Sequence, residues 1–232
     1  MEKQKYTAIV LAAGSGKRMN SKVHKQYLII QDRPVLYYSL KAFEDSAVDE
    51  IVLVVGKGEE KFCRKEIVDK YGISKVKAIV EGGKERYHSV FEGLKQTSDA
   101  DYVLIHDGAR PFVNQDIIRR CLQEVQKSQA CVVGMPLKDI IKIADEQPYR
   151  KQTPDRKNVL MIQTPQTFSY ALIYEAYEEM LKTEDTAITD DAMVLERIKG
   201  KKSKLIEGSY RNIKITTPED LLIANVYLQH PE

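Results

Sequence analysis

The sequence predicts an α/β protein with a doubly wound, mostly parallel sheet, and three observations carry that expectation. Five short runs, YTAIVLA (6–12), EIVLVVG (50–56), VKAIVEGG (76–83), DYVLIHD (101–107) and ACVVGMP (130–136), are nearly continuous in apolar residues. Strands of a parallel sheet covered on both faces read this way, whereas half-exposed strands alternate. Amphipathic segments lie between them: Tyr87, Val90, Phe91 and Leu94 form one helical stripe, and Ile117, Ile118, Cys121, Leu122 and Val125 another. Finally, the loops after four of the runs (AAGSGKR, GKG, EGGKER and HDGARP) are rich in glycine, and three contain arginine. In doubly wound sheets such loops converge in one crevice at the carboxyl ends of the strands.

Taken in order, residues 6–12 open the sheet. The preceding MEKQK gives the N-terminus a passing likeness to a signal peptide, but its apolar segment is too short and runs straight into GSGKR. The alternation of strand and helix continues to residue 136. From 138 to 162 the pattern changes to DIIKIA and NVLMIQ around a polar, proline-bearing turn, which predicts a protruding β-hairpin arm. A two-stranded ribbon is marginal in water, so the arm is expected to rest on a partner subunit. Helices are expected near 169–181 and 190–198. The closing NIKITTPEDLLIANVYL reads as a strand followed by a helix, with Thr217 as cap, Pro218 in the first turn, and Glu219 and Asp220 facing the positive dipole end. With no repeat or linker, residues 1–232 are expected to form one domain, with 138–162 as the arm.

Composition narrows the function. Lys plus Arg number 36 against 34 Asp plus Glu, a net +2, which gives no global field for nucleic acid or an anionic membrane. An anionic partner must therefore be small and met by local charge. Cys63, Cys121 and Cys131 are scattered and show no CxxC spacing, which argues against a disulfide framework or zinc site and suits a cytoplasmic protein. No apolar run approaches the roughly 18 residues that span a bilayer.

The stretch LAAGSGKRM (11–19) is the focus of the chemistry. It fails the P-loop pattern, because Arg18 follows Gly16-Lys17, and it fails GxGxxG, because position 19 is Met. It remains a glycine-flexed turn whose amides can face an oxyanion, with Arg18 inside it and Lys25 nearby; an incidental surface loop is the alternative.

LAAGSGKRM followed by HKQYL resembles the signature of sugar-phosphate cytidylyltransferases. GGKERYHSV (82–90), HDGARPF (106–112), QTPQTF (163–168), TDDAMVLE (189–196) and NIKITTPEDL (212–221) resemble, in order, segments of the 2-C-methyl-D-erythritol 4-phosphate cytidylyltransferase family. The likeness runs from Tyr6 to about Tyr227. It implies a Rossmann-like nucleotidyltransferase fold and the joining of CTP to a polyol phosphate, with release of pyrophosphate. It also implies Mg²⁺, carried mainly by the CTP phosphates with Asp107 as a further ligand, and a homodimer formed through the arm.

The resemblance assigns residues too. Ala12, Ala13, Gly14 and Gly16 would cradle the nucleotide, with Gly82, Gly83 and Ser89 at cytosine and ribose, and Asp107 and Gly108 beside them. Arg18, Lys25 and Lys214 would be the catalytic cations around the reacting phosphates, a task suited to a planar guanidinium and mobile ammoniums. Asp107, Arg110, Arg156, Thr164, Thr189 and Lys214 would bind the acceptor, Arg156 from the neighbouring subunit. Arg86 is open between a site role and a loop-holding pair with a carboxylate. His106 reads as a packed hydrogen-bonder, and Asp190 and Asp191 read as helix N-terminal residues without metal. One departure stands out: the family usually has Thr where this chain has Ile140, which puts one contact near the acceptor phosphate in doubt. Ribitol-5-phosphate cytidylyltransferases share the architecture but favour AGG over Ala12-Ala13-Gly14. A CTP-binding module without catalysis is the remaining alternative, though Arg18, Lys25, Asp107 and Lys214 are all in place.

Overall fold

A computed structural model describes residues 3–14, 19, 23–144, 150–183 and 187–230. Strand β1 (Tyr6–Ala12) leads through a short turn at Lys25–Tyr27 to a small hairpin, β2 (Ile29–Ile30) and β3 (Arg33–Pro34), and then helix α1 (Val35–Glu44). β4 (Glu50–Val55) is followed by α2 (Glu60–Cys63), which widens into a π-turn over Arg64–Asp69. β5 (Val76–Glu81), α3 (Arg86–Leu94), β6 (Tyr102–Asp107), α4 (Gln115–Ser128) and β7 (Ala130–Pro136) complete the alternating part. A ribbon of β8 (Ile143–Ala144) and β9 (Arg150–Gln152) precedes β10 (Leu160–Ser169), α5 (Tyr170–Met180), α6 (Asp191–Lys199), β11 (Lys204–Glu207) and α7 (Pro218–Gln229).

Seven strands form one sheet in the order β11-β7-β10-β6-β1-β4-β5. β1 pairs in parallel with β4 and β6, β4 with β5, and β7 with β11; β10 runs antiparallel between β6 and β7. The five apolar runs are all strands, and the reason is visible in β1. Ala8 and Val10 pack on one face among residues of α1 and α4, while Ile9 packs on the other among residues of α3, α5 and α6. With both faces covered, successive residues are buried and the polar positions of an alternating strand disappear.

Two expectations are corrected. The second limb of the arm is not 158–163: β8 pairs with β9, with Ile143 opposite Gln152, whereas Leu160–Ser169 is a central strand of the main sheet. Its apolar signal is interrupted by Gln163, Thr164, Pro165 and Gln166, where the register shifts against β7, so its length is hidden in the sequence. The apolar side chains of Leu160 and Ile162 face Gly134 of β7 rather than a partner limb.

Nor is NIKIT a strand. Residues 212–216 carry no regular secondary structure: Ile213 N–H donates back to Arg211 O at 2.7 Å, and Ile215 N–H donates to Ala109 O at 2.8 Å, in the loop after β6. Ile215 is fully buried and anchors this segment, which brings Lys214 to the strand ends. α7 follows as expected: Asp220 Oδ2 accepts from the backbone N–H groups of Thr216 and Thr217 at 2.7 and 2.8 Å, closing the first turn. No helix among the described residues is long and apolar enough to cross a membrane.

Candidate active site

Two cavities open at the carboxyl ends of the strands. The larger, about 400 Å³, is lined by the end of β1 (Leu11–Gly14), Lys25 and Gln26, the loop 83–86, Ser89, Asp107, Ala109 and Lys214. The smaller, about 170 Å³, is lined by Arg110, Gln163, Thr164, Gln166, Thr189 and Asp190 among others. Arg86, Asp107 and Lys214 line both, so the two cavities meet at these three side chains.

Asp107 stands at the end of β6, where the strand pairing puts it opposite Leu11 of β1. Lys214 Nζ lies 2.7 Å from its Oδ2, Arg86 Nε 3.5 Å from Oδ1, and Arg110 Nε 3.8 Å from Oδ2. Burial alone would raise the carboxyl pKa, but Arg86, Lys214 and Arg110 together outweigh it and hold the group far below the carboxylate range. A carboxylate that stays ionised at every working pH is a poor general base; it is suited to holding cations and hydroxyls.

Arg86 is fixed from behind. Its two terminal nitrogens make a bidentate pair with Asp191 at 2.7 and 2.8 Å, and Tyr177 donates to the same carboxylate at 2.6 Å. Asp191 is fully buried. Gln166 Oε1 accepts from the backbone N–H groups of Asp191 and Ala192, while its amide donates to Asp190 Oδ2. Asp190 caps α6 by accepting from Met193 N–H at 2.9 Å. The pair Asp190-Asp191 is thus a helix cap and a buried counter-ion. Among the described residues, no three His, Cys, Asp or Glu side chains converge as cation ligands.

His106 is fully buried beside this centre. Its Nε2 lies 3.2 Å from Arg110 O, a carbonyl that can only accept, so Nε2 carries the proton and Nδ1 accepts from the Thr164 hydroxyl at 3.1 Å. Thr164 Oγ1 in turn accepts from Asp107 N–H at 3.1 Å. Burial pushes the imidazole pKa down to about 4, so the ring is neutral and structural.

The glycines differ in what they do. A Cβ on Gly82 would lie 2.5 Å from Ala13 Cβ, and one on Gly83 would lie 2.3 Å from His88 Cβ, so this loop passes where no side chain fits. Ser89 Oγ accepts from Gly83 N–H at 3.1 Å, which ties the loop to α3. Gly108 N–H donates to Leu11 O and sits behind the cavity, packed against Leu36. Gly14, by contrast, needs no glycine for packing, since a Cβ there would meet nothing within 4 Å.

Ala12, Ala13, Gly14, Lys25, Gly83, Ser89, Asp107 and Lys214 are thus brought to the larger cavity, and Arg110, Thr164 and Thr189 to the smaller. Gly82 and Gly108 lie behind the linings. Arg18 and Gly16 lie outside the described residues. Arg156 is not brought to either cavity of its own chain: it is exposed in a turn after β9, where its Nη1 donates to Lys138 O at 3.0 Å. Sequence reasoning missed Tyr177, Gln166 and the buried Asn212, whose amide donates to Thr164 O at 3.0 Å. Only a buried-polar pattern could have signalled them, and each polar group is separated in sequence from its partners.

Comparison with known proteins agrees with this geometry. The model of the 2-C-methyl-D-erythritol 4-phosphate cytidylyltransferase family matches residues 6–230. The protein of that name from Lachnoclostridium phytofermentans is 50% identical, over 97% of each chain. The one from Lachnospira eligens is 52% identical, over 96% of this chain and 99% of its own. The crystal structure of 4-diphosphocytidyl-2C-methyl-D-erythritol synthase from Anaerococcus prevotii superimposes with a TM-score of 0.86 at 38% identity, covering 98% of this chain and 97% of that one. The chain belongs to the 2-C-methyl-D-erythritol 4-phosphate cytidylyltransferase family.

Proposed function

We propose that the chain transfers the cytidylyl group of CTP to 2-C-methyl-D-erythritol 4-phosphate at the seam between its two cavities. It is a nucleotidyltransferase that forms 4-diphosphocytidyl-2-C-methyl-D-erythritol and pyrophosphate for isoprenoid synthesis. The observation that carries this reading is Lys214 Nζ lying 2.7 Å from Asp107 where the cavities meet. A cation there faces both substrates.

The larger cavity takes the nucleotide. Its loop 82–85 admits a flat pyrimidine edge because the glycines carry no side chain, and the end of β1 offers backbone to the phosphates. The smaller cavity takes the acceptor, with Arg110, Thr164 and Thr189 around it. An acceptor phosphate oxygen attacks the α-phosphorus in line, a new P–O bond forms, and the bond to the β-phosphate oxygen breaks as pyrophosphate leaves. Such a step depends on positioning and positive charge more than on covalent help from protein. Lys214 exchanges its pairing with Asp107 for the reacting phosphate, while Lys25 and Arg18 offset charge on the α-phosphate and the leaving group. Asp107 meanwhile keeps Arg86 and Arg110 in place.

Mg²⁺ would be held mainly by the CTP phosphates, and Asp107, which lines both cavities, would reach it with Oδ2 once Lys214 has moved to the phosphate. When bound, the ion neutralises charge on the triphosphate. The protein acts as a homodimer through its arm. Ile140 and Ile143 are 74% and 44% exposed on the arm, an apolar surface that a second copy would cover, and Arg156 beside it would reach the partner's acceptor phosphate. Three buried, unpaired cysteines suit a reducing cytoplasm.

The test is pyrophosphate release with CTP and Mg²⁺, offering methylerythritol 4-phosphate and ribitol 5-phosphate in parallel. Release only with the former is expected and would show that Ile140 is tolerated. Release only with ribitol 5-phosphate would move the acceptor assignment, and CTP binding without release would leave a cradle that has no reaction.

A further inference from the structure

Lys25 opens a single tight turn, Lys25–Tyr27, and lines the larger cavity. So short a turn has little stiffness of its own. What holds its neighbours therefore contributes to its position. Buried Gln26 donates to Ala12 O at 2.5 Å, tying the turn to the end of β1. Tyr27 donates its hydroxyl to Glu59 Oε2 at 2.7 Å. His24, on the other side of Lys25, packs its Nδ1 2.8 Å from Glu59 Oε1, a contact that becomes an ion pair when the ring is protonated. One carboxylate therefore engages the residue before Lys25 and the second residue after it.

Glu59 is itself braced. Its Oε2 also accepts from Gly56 N–H at 3.0 Å, and its own N–H donates to Gly56 O at 3.0 Å. A Cβ on Gly56 would lie 2.6 Å from Oε2, so a side chain at that position would push the carboxylate away. This gives the loop GKG after β4 a task that no substrate contact supplies. Burial, foremost, holds the Tyr27 hydroxyl well above its ordinary pKa, so it remains a donor.

We propose that Glu59 is a positioning residue for the transfer, acting through His24 and Tyr27 to hold Lys25 against the nucleotide phosphates. The inference rests on the reading of Lys25 given above. Displacement of a catalytic group by about 1 Å can cost as much as 100-fold in rate. Glu59→Ala and Tyr27→Phe are each expected to lower kcat about 10-fold, with smaller changes in KM for the acceptor, and Glu59→Gln, which can still accept, should recover most of the loss.

The decisive experiment is a double-mutant cycle with Lys25→Ala, read in kcat and in calorimetric CTP affinity, well below each variant's Tm. The affinity leg stays measurable when turnover is too slow. If Glu59 acts through Lys25, Glu59→Ala weakens CTP binding in the wild-type background and changes nothing further in Lys25→Ala. Equal, additive effects in both backgrounds would overturn the inference, as would unchanged kcat in Glu59→Ala beside an impaired Lys25→Ala. If Lys25→Ala itself leaves turnover and affinity intact, the reading of Lys25 fails, and the positioning role with it.

Discussion

Arg86 joins two carboxylates that differ in everything except their chemistry. Asp191 is fully buried among Tyr177, Gln166 and the first turn of α6, so its end of the bidentate pair is closed to solvent and ligand, while Arg86 itself reaches the cavities. Asp107 lines both cavities and holds Lys214 at 2.7 Å with Arg110 at 3.8 Å. Charges that a substrate can replace belong to the reaction, and charges that nothing can replace belong to the frame. The same residue type thus serves two ends, decided by what can reach it.

Substitutions on the two sides of Arg86 should separate these ends. The largest effect is expected on the open side. Lys25→Ala should lower turnover at least about 100-fold, as loss of one preorganised charge does, while Tm moves by about 2 °C or less. Steady-state kinetics beside thermal melts would check this, and parallel losses of activity and stability would erase the distinction.

On the sealed side the order reverses. Asp191→Ala removes the buried counter-ion of Arg86 and the acceptor of the Tyr177 hydroxyl, which should cost about 2–4 kcal/mol of stability, since Arg86 is partly exposed and keeps Asp107. At about 2–4 °C per kcal/mol for a chain of this size, Tm should fall by roughly 4–16 °C. Replacing both partners, Arg86→Met with Asp191→Leu, should recover part of that loss, because no uncompensated charge remains.

A third measurement concerns pH. His106 has a folded pKa near 4 against 6.5 ordinarily, so the unfolded chain takes up a proton first. Stability should therefore be lost as pH falls from about 6.5 to about 4, by on the order of 3 kcal/mol, with no further loss from this group below that. Denaturant melts of His106→Asn should show a shallower acid limb; an unchanged limb would mean the ring is not held neutral. The smallest effect is at the arm. If the proposed dimer forms, Arg156→Ala should raise KM for methylerythritol phosphate about 10-fold and leave KM for CTP unchanged, because Arg156 touches neither cavity of its own chain.

Much of this frame was legible because burial on both faces writes itself as an unbroken apolar run. β1, β4, β5, β6 and β7 were readable for that reason, and the cap of α7 because Thr217, Pro218 and Asp220 act locally. β10 was not, since Gln163, Thr164 and Gln166 are buried polar residues serving the site within a central strand. A paired ribbon does lie within 138–162, but its second limb is β9 rather than NVLMIQ. Within the site, strand-end loops were visible as a group, and Asp107 and Lys214 were recognisable one at a time. A carboxylate partner was one of the two readings of Arg86, but the pair with Asp191 spans 105 residues, and nothing local marks Asp191 as that partner. Asp191 reads as an ordinary helix-start residue until the fold brings Arg86 to it.

The central claim is that Lys214 leaves Asp107 for the reacting phosphate at the seam. Its most direct test is pyrophosphate release by Lys214→Ala with CTP, Mg²⁺ and methylerythritol 4-phosphate, with Tm measured on the same samples. The account predicts kcat lower by at least about 100-fold with Tm within about 2 °C of wild type. Turnover near the wild-type rate, or a loss of activity matched by a loss of stability, would contradict it.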